Sequence, residues 1–453
     1  EPETKAVALL TYDSLIDAME DVAPILDHGP CAVEVMDDVL LDLAREAPEF
    51  EEVVGLLPDD THSVLLVEFY AEDDDHGRQQ VADLVADRVG GVETELAASP
   101  DRVTTNKRAY ASHAMEAHDA ETRATFWKMR KAGMPILLSR TSDAKHISFI
   151  EDCAIPVENL PAYVKDFQTV LDDHGTHASF YAHAGPGVLH VRPLVDTKTV
   201  EGVEQLEGIA DDVTDLVVEY GGSVSGEHGD GRARTQWNRK LYGERLWGVF
   251  RDLKTAFDPK WLLNPGNICG VMPDEESYGT AVEAHDMTED LRFSPSYEFD
   301  TGFDPALEWA NENGFQGMVE LCHGCGGCRG PQSTTGGVMC PTYRATDEEI
   351  QSTRGRANLL RSAMNGSLDE DELLGSEFGA EVMDLCVGCK GCEVDCPSGV
   401  DMAKMKAEVE HASHERDGAS LRDRIFANID SLSRFGSMFA PLSNLGTKVP
   451  GVR

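Results

Sequence analysis

No stretch of this chain is apolar for long enough to span a bilayer, and no charged-then-apolar leader opens it. Cations are scarce: 39 Lys and Arg stand against 82 Asp and Glu, a net charge of −43. So acidic a chain repels a phosphate backbone, which argues against nucleic acid as a partner. The acid is spread through every region rather than held in one tail. That pattern is expected of adaptation to high salt, where self-repulsion is screened within about 3 Å rather than about 10 Å. A G-x-G-x-x-G fingerprint between strand and helix is also missing, since Gly226–Gly231 lies in the wrong context for one. Hydrophobic content of 41% over 453 residues is nevertheless enough for two or three globular domains. The chain opens on Glu1 rather than Met, as expected of a fragment or a processed form.

Cysteine is sparse but concentrated. Of eleven, only Cys31, Cys153 and Cys269 stand alone, and these read as small core residues. The other eight form two sets, each ending in Cys-Pro: Cys322, Cys325 and Cys328 with Cys340, then Cys386, Cys389 and Cys392 with Cys396. Three thiolates at i, i+3 and i+6 can hold three corners of one cubane, and a distant fourth closes it. The second set, C-x2-C-x2-C-x3-C-P, is a two-cluster ferredoxin run, whose fourth Cys ligates the other cluster. The expected partition is therefore crossed. Cys322, Cys325, Cys328 and Cys396 would hold one 4Fe-4S cluster, with Cys386, Cys389, Cys392 and Cys340 on the other. Structural zinc prefers separated C-x2-C pairs, and the spacing is too tight for disulfides. The sequence predicts electron transfer.

Residues 1–270 alternate short β-runs with amphipathic helices. Strands are expected at Ala6–Leu10, Cys31–Val35 and Ser63–Phe69, with helices opening near Asp13 and His76. The pattern recurs as an extended run from Ile147 to Val157, a helix over 159–174 and a strand from Ala178. This predicts an α+β fold, a ferredoxin-like antiparallel sheet with helices on one face. Residues 271–310 are proline-punctuated and acidic and read as a linker. A helical two-cluster domain follows over 311–430, with Thr346 and Glu349 as a capping box and Gly366 as a helix stop. Residues 431–453 read as a connector. Met402 and Met405 are expected to pack within a helix rather than face a membrane. Arg329, Arg344, Arg354, Arg356 and Arg361 either offset cluster charge and help dock an acceptor, or pair on helix surfaces.

A second constellation lies in Phe180–Pro193. Two β-runs flank Gly185-Pro186-Gly187, and a turn centred between Pro186 and Gly187 sets His183 opposite His190. Downstream, Glu227 and His228 sit on a Gly-flanked loop. Two His and one carboxylate would leave an open position on zinc or manganese, with His228 as a base of near-neutral pKa. Spacing alone favours the plainer reading, two half-buried polar histidines on strands.

Several stretches resemble the C-terminal domain of FAD-linked oxidases, the family of D-lactate, glycolate and D-2-hydroxyglutarate dehydrogenases. They are Phe126–Arg130, the His183…His190 hairpin, Gly226–Gly229 and Ala256–Gly266. The second half resembles the paired-cluster domain of glycerol-3-phosphate and glycolate dehydrogenase iron–sulfur subunits, through Cys340–Tyr343 and Ser352–Arg356. The resemblance implies metal ligands at His183, His190 and Glu227, a base at His228, and substrate carboxylate contacts at Arg130 and Lys145. It places Asn264 to Gly266 beside the flavin ring. Zinc-dependent members commonly have Asp and Asn where Pro186 and Val188 stand here, a polar residue at Met134, and Asn at Arg192. The extra cation of Arg192 suits a second carboxylate.

The resemblance thus implies a flavin-dependent D-2-hydroxy-acid dehydrogenase. Its FAD would be held mainly by a binding domain absent from these residues, and its electrons would leave through two 4Fe-4S clusters. The acceptor would be a quinone, an electron-transfer flavoprotein or a cysteine-rich domain, in the cytoplasm or at the cytoplasmic face of the membrane. The alternative is an electron-transfer iron–sulfur subunit with no substrate site of its own.

Overall fold

The computed structural model describes residues 4–46, 54–89, 110–131, 133–330, 339–367, 375 and 378–440. They form two compact units that part between Tyr297 and Glu298.

The first unit is built on an antiparallel sheet. Its strands are β1 (Thr4–Tyr12), β2 (Ala32–Asp37), β3 (Ser63–Ala71), β4 (His113–Ala117), β5 (Lys145–His146), β6 (Cys153–Ala154), β7 (Ala178–His183) and β8 (Val188–Val195). Their order is β4-β1-β3-β2-β7-β8-β5, with β6 also on β8. The helices are α1 (Leu15–Leu26), α2 (Asp38–Glu46), α3 (Asp74–Arg88), α4 (Ala120–Lys131), α5 (Gly133–Leu137), α6 (Leu160–Asp173), α7 (Val200–Glu219) and α8 (Thr235–Phe257).

Helices cover both faces of this sheet, not one. Ala8, Leu10, Leu65, Val67 and Phe69 pack against α1, α3, α6 and α7. The alternate residues Val7, Leu9, Val64 and Leu66 pack against α2, α4 and α5 through Leu40, Leu41, Phe126, Met129 and Leu137. The physical cause is visible in the strands, whose apolar runs are continuous rather than alternating. The expected extended run from Ile147 to Val157 shortens to the two residues of β6, followed by a single 3₁₀ turn at Val157–Asn159.

The second unit is helical: α9 (Gly314–Glu320), α10 (Pro341–Thr346), α11 (Thr353–Met364), α12 (Gly391–Asp395), α13 (Met402–Asp417), α14 (Leu421–Ala427) and α15 (Ile429–Met438). Phe315, Val319, Leu360, Met383, Met402 and Met405 form its core together with several of the clustered cysteines. The cap of α11 differs from expectation. Ser352, not Thr346, accepts the Gly355 N–H at 2.9 Å, because Thr346 ends α10 and Glu349 sits in a 3₁₀ turn. Gly366, with φ of 78°, follows the end of α11.

Residues 271–310 divide between the units rather than hanging free. Val271 bridges Glu283 in the first. In the second, the buried Glu408 of α13 accepts hydrogen bonds from the Ala306 and Leu307 amides and the Trp309 indole at 2.8–3.0 Å. The connector read over 431–453 begins inside α15; residues 441–453 lie outside the described set. Cys153 and Cys269 are buried, but Cys31 is exposed, at the chain's entry into β2.

Candidate functional site

The turn of the β7–β8 hairpin is centred one residue earlier than expected, which slips the cross-strand pairing by two. Its turn runs Ala184–Gly187, closed by the Gly187 N–H on the Ala184 carbonyl at 3.1 Å. His183 consequently faces Val188, and His190 faces Tyr181. Gly187 (φ 76°) leaves the turn where the Ile155 carbonyl fills the space a Cβ would need. A slip of two residues preserves strand parity, so both histidines remain on one face as diagonal neighbours, their ring centroids 5.1 Å apart.

That face is the one covered by α2, α4 and α5. Glu34 of β2 is the direct cross-strand partner of His183, and its carboxylate accepts from His183 Nδ1 at 2.8 Å. The same carboxylate accepts from Arg130 Nε of α4 at 2.9 Å. Arg130 Nη2 lies equally close to it, though not aligned for a hydrogen bond. Glu151, on the loop before β6, accepts from His190 Nδ1 at 3.2 Å with one oxygen and from His228 Nδ1 at 2.9 Å with the other. It also stands 3.5 Å from Arg192. Tyr181 separates the two arginines: both guanidiniums lie over its ring, and Arg192 Nε donates to its hydroxyl at 2.6 Å.

With each Nδ1 occupied by a carboxylate, the Nε2 atoms turn inward. Those of His183, His190 and His228 lie 3.5, 3.4 and 3.4 Å from Glu227 Oε1. The ligand atoms of His183, His190 and Glu227 are all within 4.8 Å of one another. The loop that brings Glu227 and His228 here is clamped twice. Asp152, fully buried with φ of 82°, accepts from the Ser225 hydroxyl and from the Glu227 and His228 amides at 2.8–3.0 Å. Arg234 donates to the Val224, Gly229 and Glu151 carbonyls at 2.7–3.0 Å.

The electrostatics follow from these contacts. Burial would raise the Glu151 carboxyl, but His190, Arg192 and His228 together hold it at about 2. The Glu34 hydrogen bond raises His183 above the usual histidine value, against the effect of burial. Two imidazoles offering Nε2 lone pairs beside a half-exposed carboxylate are a donor set that fits zinc or manganese with an open position. His228 has the same Nδ1 anchor and the same inward Nε2.

Other expected residues lie apart from this centre. Lys145 is paired with Val195, five residues along β8 from His190, and its ammonium donates to the Arg140 carbonyl. Asn264 (φ 45°) and Gly266 (φ 72°) shape the loop beyond α8, where a Cβ on Gly266 would meet the Glu283 carbonyl at 2.6 Å. Met134 has no described side chain. Sequence reasoning missed Glu34, Glu151, Asp152, Tyr181 and Arg234. Only Glu34, an acid inside the apolar run Ala32–Met36, carried a readable signal.

In the second unit the cysteines gather in the crossed arrangement. Cys322, Cys325, Cys328 and Cys396 line one small hollow. Cys340, Cys386, Cys389 and Cys392 line another. Left-handed backbone at Gly324, Gly326, Gly388 and Lys390 curls the loops around them. Four thiols about one hollow are a fit for a cubane cluster. The buried Arg356 approaches Cys340 Sγ at 3.9 Å while donating to the Val382 carbonyl at 2.6 Å. Arg329 and Arg354 instead pair with Glu349.

Residues 1–268 match the family described as FAD linked oxidases, C-terminal domain, and residues 318–400 match the 4Fe-4S dicluster domain. The D-2-hydroxyglutarate dehydrogenase of Pantoea ananatis (strain AJ13355) is 28% identical over 488 residues, covering 100% of this chain and 44% of its own length. Glycolate oxidase subunit GlcD of Escherichia coli (strain K12) is 28% identical over 269 residues, 59% of this chain and 48% of its own. The crystal structure of p-cresol methylhydroxylase with substrate bound aligns at 12% identity and a TM-score of 0.41, over 62% of this chain and 54% of its own. The chain spans less than half the length of either curated relative.

Proposed function

Because the chain belongs to the FAD linked oxidases through their C-terminal domain, with a 4Fe-4S dicluster domain behind it, we propose that it supplies the substrate and relay parts of a D-2-hydroxy-acid dehydrogenase. The observation that carries this reading is the convergence of His183, His190 and His228 Nε2 on the Glu227 carboxylate. When bound, the metal would supply Lewis acidity to the 2-hydroxyl, the flavin would take the hydride, and the clusters would pass electrons singly. His183, His190 and Glu227 would hold the metal. His228 Nε2 takes the hydroxyl proton, its ring kept in place by Glu151. Arg130 and Arg192 provide buried positive charge for carboxylate, and Arg192 Nη1 has no hydrogen-bond partner of its own. Two cations flanking Tyr181 favour a substrate with two carboxylates, D-2-hydroxyglutarate, over D-lactate or glycolate. The flavin would be bound mainly by a segment outside these residues, and the clusters would sit on the two cysteine sets.

Full-length protein assayed with an artificial acceptor should turn over D-2-hydroxyglutarate faster than D-lactate or glycolate. Replacing His228 by Ala should slow flavin reduction by about 10²- to 10⁴-fold. Full-rate flavin reduction in that variant would refute the base assignment. Elemental analysis finding iron without zinc or manganese would leave an electron relay alone.

A further inference from the structure

Two carboxylates outside the ligand set each touch more than one functional side chain, and the pattern is the same on both sides of the centre. Glu34 accepts from His183 Nδ1 and from Arg130 Nε, at 2.8 and 2.9 Å. Glu151 accepts from His190 Nδ1 and His228 Nδ1, at 3.2 and 2.9 Å, and faces Arg192 at 3.5 Å. Neither is a surface residue adapting to a neighbour. Glu34 is buried in the middle of the sheet, and the loop that carries Glu151 is fixed through its own carbonyl by Arg234.

We propose that Glu34 and Glu151 are the positioning residues of the metal centre, each orienting one histidine ligand and one substrate-side group with a single carboxylate. This rests on the metal reading above. An imidazole whose Nδ1–H is held by a carboxylate is fixed in the tautomer that presents the Nε2 lone pair, and its ring cannot turn away. Both rings here are held in that sense by protein carboxylates, which lowers the ordering entropy of taking up an ion. The sharing has a consequence. Glu34 ties His183 to Arg130, and Glu151 ties His190 to His228. The ligands are thus mechanically joined to the group that would receive carboxylate and to the one that would receive the proton.

The test uses the 453-residue chain with its clusters in place and zinc alone as the probe, its affinity measured by competition with a chromophoric chelator. Glu34→Gln and Glu151→Gln should each weaken the His183-dependent zinc site by about 10- to 100-fold, with far-UV circular dichroism and cluster absorbance unchanged. His183→Ala should abolish the site. The pair Glu34→Gln with Arg130→Met removes the arginine that the first change strands. Under the proposal its zinc affinity stays low. Recovery to wild-type affinity would mean that Glu34 only neutralised Arg130 and would overturn the proposal. Unchanged affinity in both single variants would overturn it too. So would a loss as complete as that of His183→Ala, which would make Glu34 a ligand. Wild-type protein that takes up neither zinc nor manganese would remove the metal reading itself, a result separable from all of these.

Discussion

At the scale of single residues, the sequence carried the chemistry better than the contacts. His183 and His190 were legible because strand parity survives an even slip in register, which is why a misplaced turn still put them on one face. Glu151 and Asp152 were not, since two acids in a chain with 82 of them stand out only once the loop folds back on His190 and Glu227. Asp37 is another such residue. It is fully buried at the end of β2, where the Leu40 and Phe180 amides and the Ser179 hydroxyl donate to it. Burial nevertheless pushes its carboxyl up to about 7 from the usual 3.8. A carboxyl raised in the folded state stabilises the protein fully below its unfolded value, and that contribution is lost as pH rises through the folded one. Wild type should therefore lose up to about 1.4 kcal/mol per pH unit between about pH 4 and pH 7 from this group. Urea unfolding across that window should show a shallower decline in Asp37→Asn.

Among elements, long periodic segments were readable and short ones were not. Strands β1, β3 and β7 and helices α1, α6 and α11 declare themselves through apolar runs and spacing. The two-residue strands β5 and β6 do not, because their pairing to β8 is decided by the hairpin they meet. The second helical layer was hidden for a related reason: a continuous apolar run shows that both faces are covered only when it is taken with its strand. The cap of α11 shows how local signals compete. Thr346 and Glu349 have the spacing of a capping box, but α10 already uses Thr346 as its last residue. Ser352 holds the Gly355 amide instead. Ser352→Ala should cost about 0.5–2 kcal/mol in denaturant unfolding, against less than about 0.5 kcal/mol for Thr346→Ala.

For the molecule as a whole, composition says more than any motif about the conditions it needs. A net charge of −43 spread over two units opposes compaction in both. At 0.01 M salt the repulsion reaches about 30 Å, against about 3 Å at 1 M. Circular dichroism should show structure in molar salt and its loss in millimolar buffer; spectra alike in the two would remove the salt requirement. The break between the units was not readable to the residue, because the stretch around it has no regular helix or strand and holds to each side through scattered contacts: Met272, Val282 and Met287 in the first unit, Phe299, Phe303 and Trp309 in the second. Within the second unit, the crossed grouping of Cys340 and Cys396 makes a different kind of demand. Each hollow borrows a thiol from the segment that furnishes the other, so neither loop can close while its neighbour stays open. Iron loading should then be all or nothing. Native mass spectra taken during reconstitution should show chains with both cubanes or with none, and oxidative damage to one should empty the pair.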